Sequence, residues 1–311
     1  MLKRNSIDII TTTERLKTKN MAKILGVGIA TLDIINLVAS YPTEDSEIRV
    51  LAQDKKRGGN ATNTLTVLNQ LGHQCYWAGT LANEPDSQPI LDELKKYNID
   101  TRYVTTFEQG KVPTSYILLN KENGTRSIVH HRDLEELSFS DFKKIQLGAF
   151  DWVHFEGRNI EQTLLMLQHL KQHYKNIPCS VEFEKQRDDI EQLYPYVDTL
   201  IFSKDYCRSV SGNNPEVFIK QLQKKLSNKN IILAWGETGS YASKDKDEYI
   251  FSPAVSVDSI KDTLGAGDTF NAGIINAMLS GHSLIQTLEA ANRLAGYKVT
   301  VSGFDISGFN A

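Results

Sequence analysis

The sequence predicts an α/β fold: a mainly parallel central sheet with helices on both faces and a small β-sheet set beside it. Three observations carry this expectation. From residue 24 onward, short apolar runs alternate with amphipathic helical stretches, the rhythm of repeated βαβ units. Two segments, 34–56 and 112–132, break the rhythm and read as β alone. Two glycine-rich loops far apart in the chain each open a helix, which puts ligand chemistry at the C-terminal ends of the strands.

Taken in order, the apolar run at 24–29 is the first strand and 34–56 follows as β structure. A helix near 61–71 carries Leu65, Val67, Leu68 and Leu71, with a strand near 75–79 and a helix near 86–97 after it. Residues 112–132 form a hairpin, in which 114–119 and 125–131 flank a turn at Asn123-Gly124, a pair suited to positive φ. Strands near 152–155, 178–183, 199–202 and 231–235 alternate with helices near 161–174, 187–194 and 214–227. Residues 254–257 read as the end of a strand. Helices near 268–279 and 283–301 complete the pattern, the first with Phe270, Ile274, Ile275, Met278 and Leu279 at helical spacing. Residues 1–22 are polar, lack a core pattern and are expected to be a disordered extension, with Met21 as an alternative start. Asp8 and Glu14 within it argue against a mitochondrial presequence. The α/β core is thus assigned to 23–33, 57–111 and 133–311, and the accessory sheet to 34–56 and 112–132.

The chain has 311 residues, with 35 Lys plus Arg against 38 Asp plus Glu, a net charge of −3 that gives no case for nucleic acid or an anionic membrane. Cys75, Cys179 and Cys207 are widely spaced, so neither a disulfide framework nor a zinc site is suggested and a reducing cytoplasm fits. No stretch approaches the roughly 20 apolar residues of a membrane span. A small molecule is the expected substrate.

Chemistry concentrates in Asp262-Thr263-Leu264-Gly265-Ala266-Gly267-Asp268, where a loop becomes a helix. Free N–H groups of Gly265, Ala266 and Gly267 at a helix start can hold a phosphate, and Asp268 beside them can accept a proton from a hydroxyl. A glycine turn with an aspartate cap is the plainer alternative. Upstream, Arg57-Gly58-Gly59-Asn60-Ala61-Thr62-Asn63 opens another helix, with Asn60 and Asn63 on one face of its first turn. Their amides can donate to and accept from a polyol, or act as ordinary caps. Glu182 and Glu184 share one face of a strand and Glu156 ends another. These carboxylates can hold magnesium through water, or pair with Lys185, Arg158 or Lys204.

Together the two glycine-rich motifs resemble the two signatures of the ribokinase-like (PfkB) carbohydrate kinases. The resemblance runs from about Lys23 to Asp305, and segments such as Trp152-Val153-His154-Phe155-Glu156-Gly157-Arg158-Asn159 and Val181-Glu182-Phe183-Glu184-Lys185 are similar to the family's ketohexokinase branch. It implies a ribokinase-like fold whose accessory sheet is a lid over the sugar, two lids clasping one another in a homodimer. It implies an ATP-dependent enzyme that phosphorylates O1 of a ketohexose, fructose first, with Mg2+ and, left open, K+. Asp33, Gly59, Asn60 and Asn63 would form the sugar site. Asp268 would be the base, with Gly265, Ala266, Gly267 and Arg126 holding the transferring phosphate. Trp235, Gly236, Glu237 and Gly239 would lie along ATP, and Asn292 would line the adenine pocket, where that branch commonly has cysteine. The family's Asn-x-x-Glu element reads Ser203-Lys204-Asp205-Tyr206, which leaves the metal ligands unassigned. Kinases of ribose, adenosine or a fructose phosphate are the alternatives, and a non-catalytic nucleotide sensor is a more distant one.

Other apparent motifs are set aside. Gly26-Val27-Gly28-Ile29-Ala30-Thr31 lacks the third glycine of a dinucleotide fingerprint and no helix is expected after it. His131-Arg132-Asp133-Leu134 has no accompanying Asp-Phe-Gly, and no Walker A loop occurs.

Overall fold

Strand β1 (Lys23–Val27) is the pivot of a computed structural model that describes residues 21–245 and 248–309. Its apolar residues pair with β4 (Gln74–Ala78) on one side and β9 (Trp152–Glu156) on the other. The sheet extends in parallel through β10 (Cys179–Phe183), β11 (Thr199–Phe202) and β12 (Asn230–Ala234). It then turns antiparallel at β13 (Gly239–Ser243) and β14 (Ile250–Pro253), giving the order β14-β13-β12-β11-β10-β9-β1-β4. β9 and β10 are buried at every position, as expected of central strands covered on both faces.

Helices α1 (Asn60–Gln70), α7 (Ala266–Leu279) and α8 (Leu284–Val299) pack against one another and the sheet. On the other face α4 (Ile160–His173), α5 (Lys204–Ser211) and α6 (Pro215–Lys225) cover a core rich in Phe183, Phe202, Tyr206 and Phe218. α2 (Ser87–Lys96) packs on the smaller sheet, and α3 (Phe139–Phe142) is a single turn.

That smaller sheet has the order β3-β2-β7-β8, with β2 (Thr31–Val38), β3 (Ala52–Gly58), β7 (Thr114–Asn120) and β8 (Arg126–His131). The hairpin turns where the sequence places it, with Gly124 at φ 70° and its N–H donated to Asn120 O. Every residue of β8 is exposed, and Tyr116, Ile128 and Val129 face solvent along with Ile48, Val50 and Leu51.

Several expectations are corrected. Residues 254–257 are not strand: the strand is β14, which ends at Pro253. The helix near 187–194 is a 3-10 turn, Ile190–Tyr196, tightened around Pro195. The stretch before 214–227 holds a separate helix, α5, capped by Ser203 Oγ on the Tyr206 N–H and ended at Gly212. Short β5 (Thr80–Ala82) and β6 (Thr105–Phe107) pair outside the main sheet. Of the disordered extension expected at 1–22, residues 1–20 lie outside the described residues, whereas Ala22 is buried and its N–H reaches His73 Nδ1 at 3.2 Å. No helix among the described residues is long and apolar enough to cross a membrane.

Glu156 braces this arrangement. It ends β9 with its Oε1 accepting the Ala61 N–H at 2.8 Å, while Oε2 meets Arg158 Nη1 at 3.3 Å. A methyl group at Gly28 would fall 2.4 Å from that carboxylate, so the Gly26-x-Gly28 pair serves close packing. Burial pushes the Glu156 carboxyl up to about 8, ahead of the Ala61 N–H that pulls it down. Its folded-state value lies above the ordinary carboxylate range, so between about pH 4 and 8 the folded chain holds a proton that the unfolded chain releases. This group's stabilisation is therefore full at low pH and lost as pH rises through about 8. Glu156→Gln should flatten the slope, shrinking the loss of unfolding free energy between pH 5.5 and 8.5 by about 1–4 kcal/mol in denaturant titrations.

Candidate active site

α1 and α7 start side by side at the C-terminal ends of β1, β9 and β10, and each start is shaped by glycine. Gly59 has φ 109°, and a methyl group there would lie 2.1 Å from the Ile29 carbonyl oxygen, so the chain enters α1 only with glycine. Gly265 has φ 75° at the start of α7 and lies under the ring of Phe304, with no room for a Cβ. At Gly267 the opposite holds: a Cβ would meet nothing within 4 Å.

Between these starts opens a cleft of about 720 Å³, lined by Asp33, Gly59, Asn60, Asn63, Gly265, Gly267 and Asp268. The two sequence motifs thus meet in one place. Asn63 Nδ2 donates to Asp268 Oδ2 at 2.7 Å across 205 positions of chain. Asn60 Nδ2 reaches Glu182 Oε1 and Glu184 Oε2, both at 3.2 Å. The first-turn N–H groups of Gly267 and Asp268 have no acceptor inside α7, and the first intrahelical bond is Thr269 N–H to Gly265 O. Asp33 accepts from Thr31 Oγ1 at 3.0 Å and presents its carboxylate to the cleft from β2.

Burial pushes Asp268 up to about 7, opposed by the Asn63 bond and the positive charges of Arg57 and Lys298 and reinforced by Glu184. Burial likewise raises Glu182 well above the usual carboxylate range, with Asp268, Glu156 and Glu184 adding repulsion. Among the described residues no cluster of three or more His, Cys, Asp or Glu side chains is arranged to hold a metal ion.

Other expected residues stand elsewhere. Arg126 is on the same face of the small sheet as Asp33, but at the far end: β8 pairs His130 with Ser115, the partner of Asp33, and Arg126 with Leu119. Four residues of strand, about 13 Å, separate Arg126 from the Asp33 row. The Ala266 N–H is turned to Thr263 O at 3.3 Å. Trp235 is buried beneath Lys204 and Arg208, and Glu237 is an exposed partner of Lys204 at 3.1 Å. Gly236 is exposed at φ 62°, and Gly239 is pressed against the Ser252 carbonyl, so that pair turns the chain between β12 and β13. Asn292 is buried with its amide nitrogen on Ser252 O, Ser252 Oγ and Pro253 O, tying α8 to β14. None of these residues lines the cleft.

The sequence reading missed two buried cations and the neighbours of Asp33 on the small sheet. Arg57 binds Thr62, Asn63 and Thr66, and Lys298 binds Asp262 O at 2.9 Å and Asp262 Oδ2 at 3.1 Å. Both belong to a residue type that is usually exposed, so composition gave no hint of their burial. On the small sheet, Lys56, Asp33, Ser115 and His130 form one cross-strand row, with Ser115 Oγ and His130 Nδ1 3.2 Å apart. The alternation of side chains along each strand carries that row once the strand register is known.

Comparison with known proteins agrees with this geometry. The model of the pfkB family of carbohydrate kinases matches residues 21–308. Mouse ketohexokinase is 35% identical over 291 residues, covering 91% of this chain and 98% of that protein. An ATP-dependent 6-phosphofructokinase of Thermoanaerobacterium thermosaccharolyticum is 25% identical, covering 79% and 80%. Among solved structures, Arabidopsis thaliana ribokinase complexed with ribose and ATP superposes with a TM-score of 0.77 at 20% identity, over 91% of this chain and 94% of that one. A nucleoside kinase of Methanocaldococcus jannaschii gives 0.73 at 20% identity, over 92% and 94%. The fold is ribokinase-like. With a family match along almost its whole described length, the chain belongs to the pfkB family of carbohydrate kinases and is a sugar kinase.

Proposed function

We propose that the chain is an ATP-dependent ketohexokinase that transfers the γ-phosphoryl group to O1 of fructose. The carrying observation is Asp268, buried at the first turn of α7, bonded to Asn63 and pushed up to about 7 beside open space at Gly267. A carboxylate with that poise accepts a hydroxyl proton near neutral pH. The sugar is gripped by Asp33, Asn60 and Asn63, which offer charge-assisted acceptors and amide donors to neighbouring hydroxyls. As O1 bonds to phosphorus and the bond to the leaving oxygen breaks, ADP departs with the electron pair and Asp268 holds the O1 proton. The N–H groups of Gly267 and Asp268 face the phosphoryl charge at the positive end of α7.

Magnesium would bind here through water, held by Glu182 and Glu184. The fit is chemical: a nucleotide-bound magnesium ion keeps several waters and needs only one or two protein carboxylates. When bound it neutralises phosphate charge. The choice of a ketohexose is supported by the 35% identity to mouse ketohexokinase over nearly the full length of both chains. The apolar exposure of Tyr116, Ile128, Val129, Ile48, Val50 and Leu51 supports a homodimer joined through the small sheets, which would then act as lids. Asp45 and Glu47, in the exposed connection between β2 and β3, would reach toward the partner's site.

ADP release measured over fructose, ribose, adenosine and fructose 6-phosphate should be fastest with fructose; preference for another acceptor rejects the ketohexose assignment. Asp268→Asn should lower kcat by about 10²–10⁴ with ATP binding retained, and near-normal turnover would remove Asp268 as the base. In the wild type, kcat/KM should climb as pH rises through about 7. Asp33→Ala should weaken fructose binding by about 2–4 kcal/mol and leave ATP untouched. Gly267→Ala should fold normally, since its methyl enters open space, yet raise KM for ATP. Sedimentation should give a dimer; a fully active monomer contradicts the lid contact.

A further inference from the structure

Arg57 is the penultimate residue of β3, and its guanidinium is wholly out of solvent. Nη1 donates to Thr62 Oγ1 at 2.5 Å and to Asn63 Oδ1 at 2.8 Å. Nη2 donates to Thr66 Oγ1 at 3.0 Å and, more loosely, to Glu93 Oε1 at 3.4 Å, while Nε has no partner among the described residues. Taking such a group out of water is costly even when it is paired, and the one carboxylate it touches is the longest of the four contacts. Stability alone is a poor account of it.

Its contacts have a chemical use. A guanidinium can only donate, so the Asn63 side chain must turn its Oδ1 to Arg57, which leaves Nδ2 facing Asp268 Oδ2 at 2.7 Å. The reversed amide would set an NH2 against the guanidinium and a carbonyl against the carboxylate. We propose that Arg57 is a positioning residue for phosphoryl transfer: it locks the Asn63 amide in one orientation and through it aims the Asp268 carboxylate into the cleft. The inference rests on the reading of Asp268 as the base. It also narrows the role of Asn63, whose one remaining N–H makes it chiefly a donor to the sugar.

The charges around this relay set the sign of its effect. Asp268 faces Glu184 from β10's end, Arg57 from β3 and Lys298 from α8, and it raises Glu182 in turn. Arg57 in turn faces Glu93 and Tyr97 from α2's end, Asp33 from β2 and Asp268 itself. Removing the guanidinium withdraws a positive charge that favours ionised Asp268. Neutralising Glu93 does the reverse, because the guanidinium keeps its charge and loses its counter-ion.

The test is the pH profile of kcat/KM for fructose in wild type, Arg57→Met and Glu93→Gln, with thermal unfolding of each. For Arg57→Met the acid limb should move up by about one pH unit and kcat at pH 7 fall about tenfold, with KM for ATP unchanged. For Glu93→Gln the limb should move down, by about half a unit. A purely structural Arg57 would lower the melting temperature and leave the limb in place. Should Arg57→Met fail to fold, Glu93→Gln decides: a folded variant with an unmoved limb overturns the proposal. Failure of the base assignment is separate, since it appears as near-normal turnover of Asp268→Asn.

Discussion

The bond from Asn63 to Asp268 joins the starts of two helices that lie 205 residues apart in the chain, and the cleft is arranged around it. Two helix N-termini converge there, each the positive end of an aligned set of peptide dipoles. Carboxylates crowd the same spot: Glu156 on the Ala61 N–H, Glu182 and Glu184 on Asn60, and Asp268 on Asn63. Desolvation drives Asp268, Glu156 and Glu182 toward the protonated state, and their mutual repulsion adds to it. Arg57 and Lys298, both without exposed side-chain surface, supply the opposing field. The site is thus held near the balance point between charged and neutral carboxylates, which is where a proton can be moved at little cost.

Strand and helix order was legible because parallel strands buried on both faces read as apolar runs, and their helices carry a periodic stripe. β9, β10, β11 and β12 each match an expected strand closely. β13 escaped notice because Gly239, Ser240 and Ser243 dilute its apolar content, and the strand expected to end at 254–257 is β14, which stops at Pro253. α5 escaped because its eight residues carry little apolar signal, its start resting on one Ser203 cap.

In the site, the two loops were readable because the backbone at Gly59 and at Gly265 takes a positive φ that favours glycine, although Gly267 is under no such constraint. Arg57 stood inside the first motif, yet nothing in a linear string tells a buried arginine from a solvated one. Arg126, Trp235 and Asn292 rested on resemblance, and each has a local task here: an exposed strand end, an aromatic floor under Lys204 and Arg208, and a tie between α8 and β14. Charge position along a strand depends on register, which a string of letters does not carry.

The ceiling over Gly265 comes from late in the chain. Phe304 lies on that glycine, Gln70 in α1 binds both Phe304 O and the Ile306 N–H, and Asp262 takes the Gly303 N–H. Lys298 is stacked near the same ring, 5.7 Å from its centre. The cover of the loop that opens α7 is thus supplied by a segment that follows both α7 and α8 in the chain. Without residues 302–306 the loop at 262–265 lacks both its anchor at Gly303 and its aromatic cap, so a chain that already holds both glycine motifs still lacks one wall of the cleft.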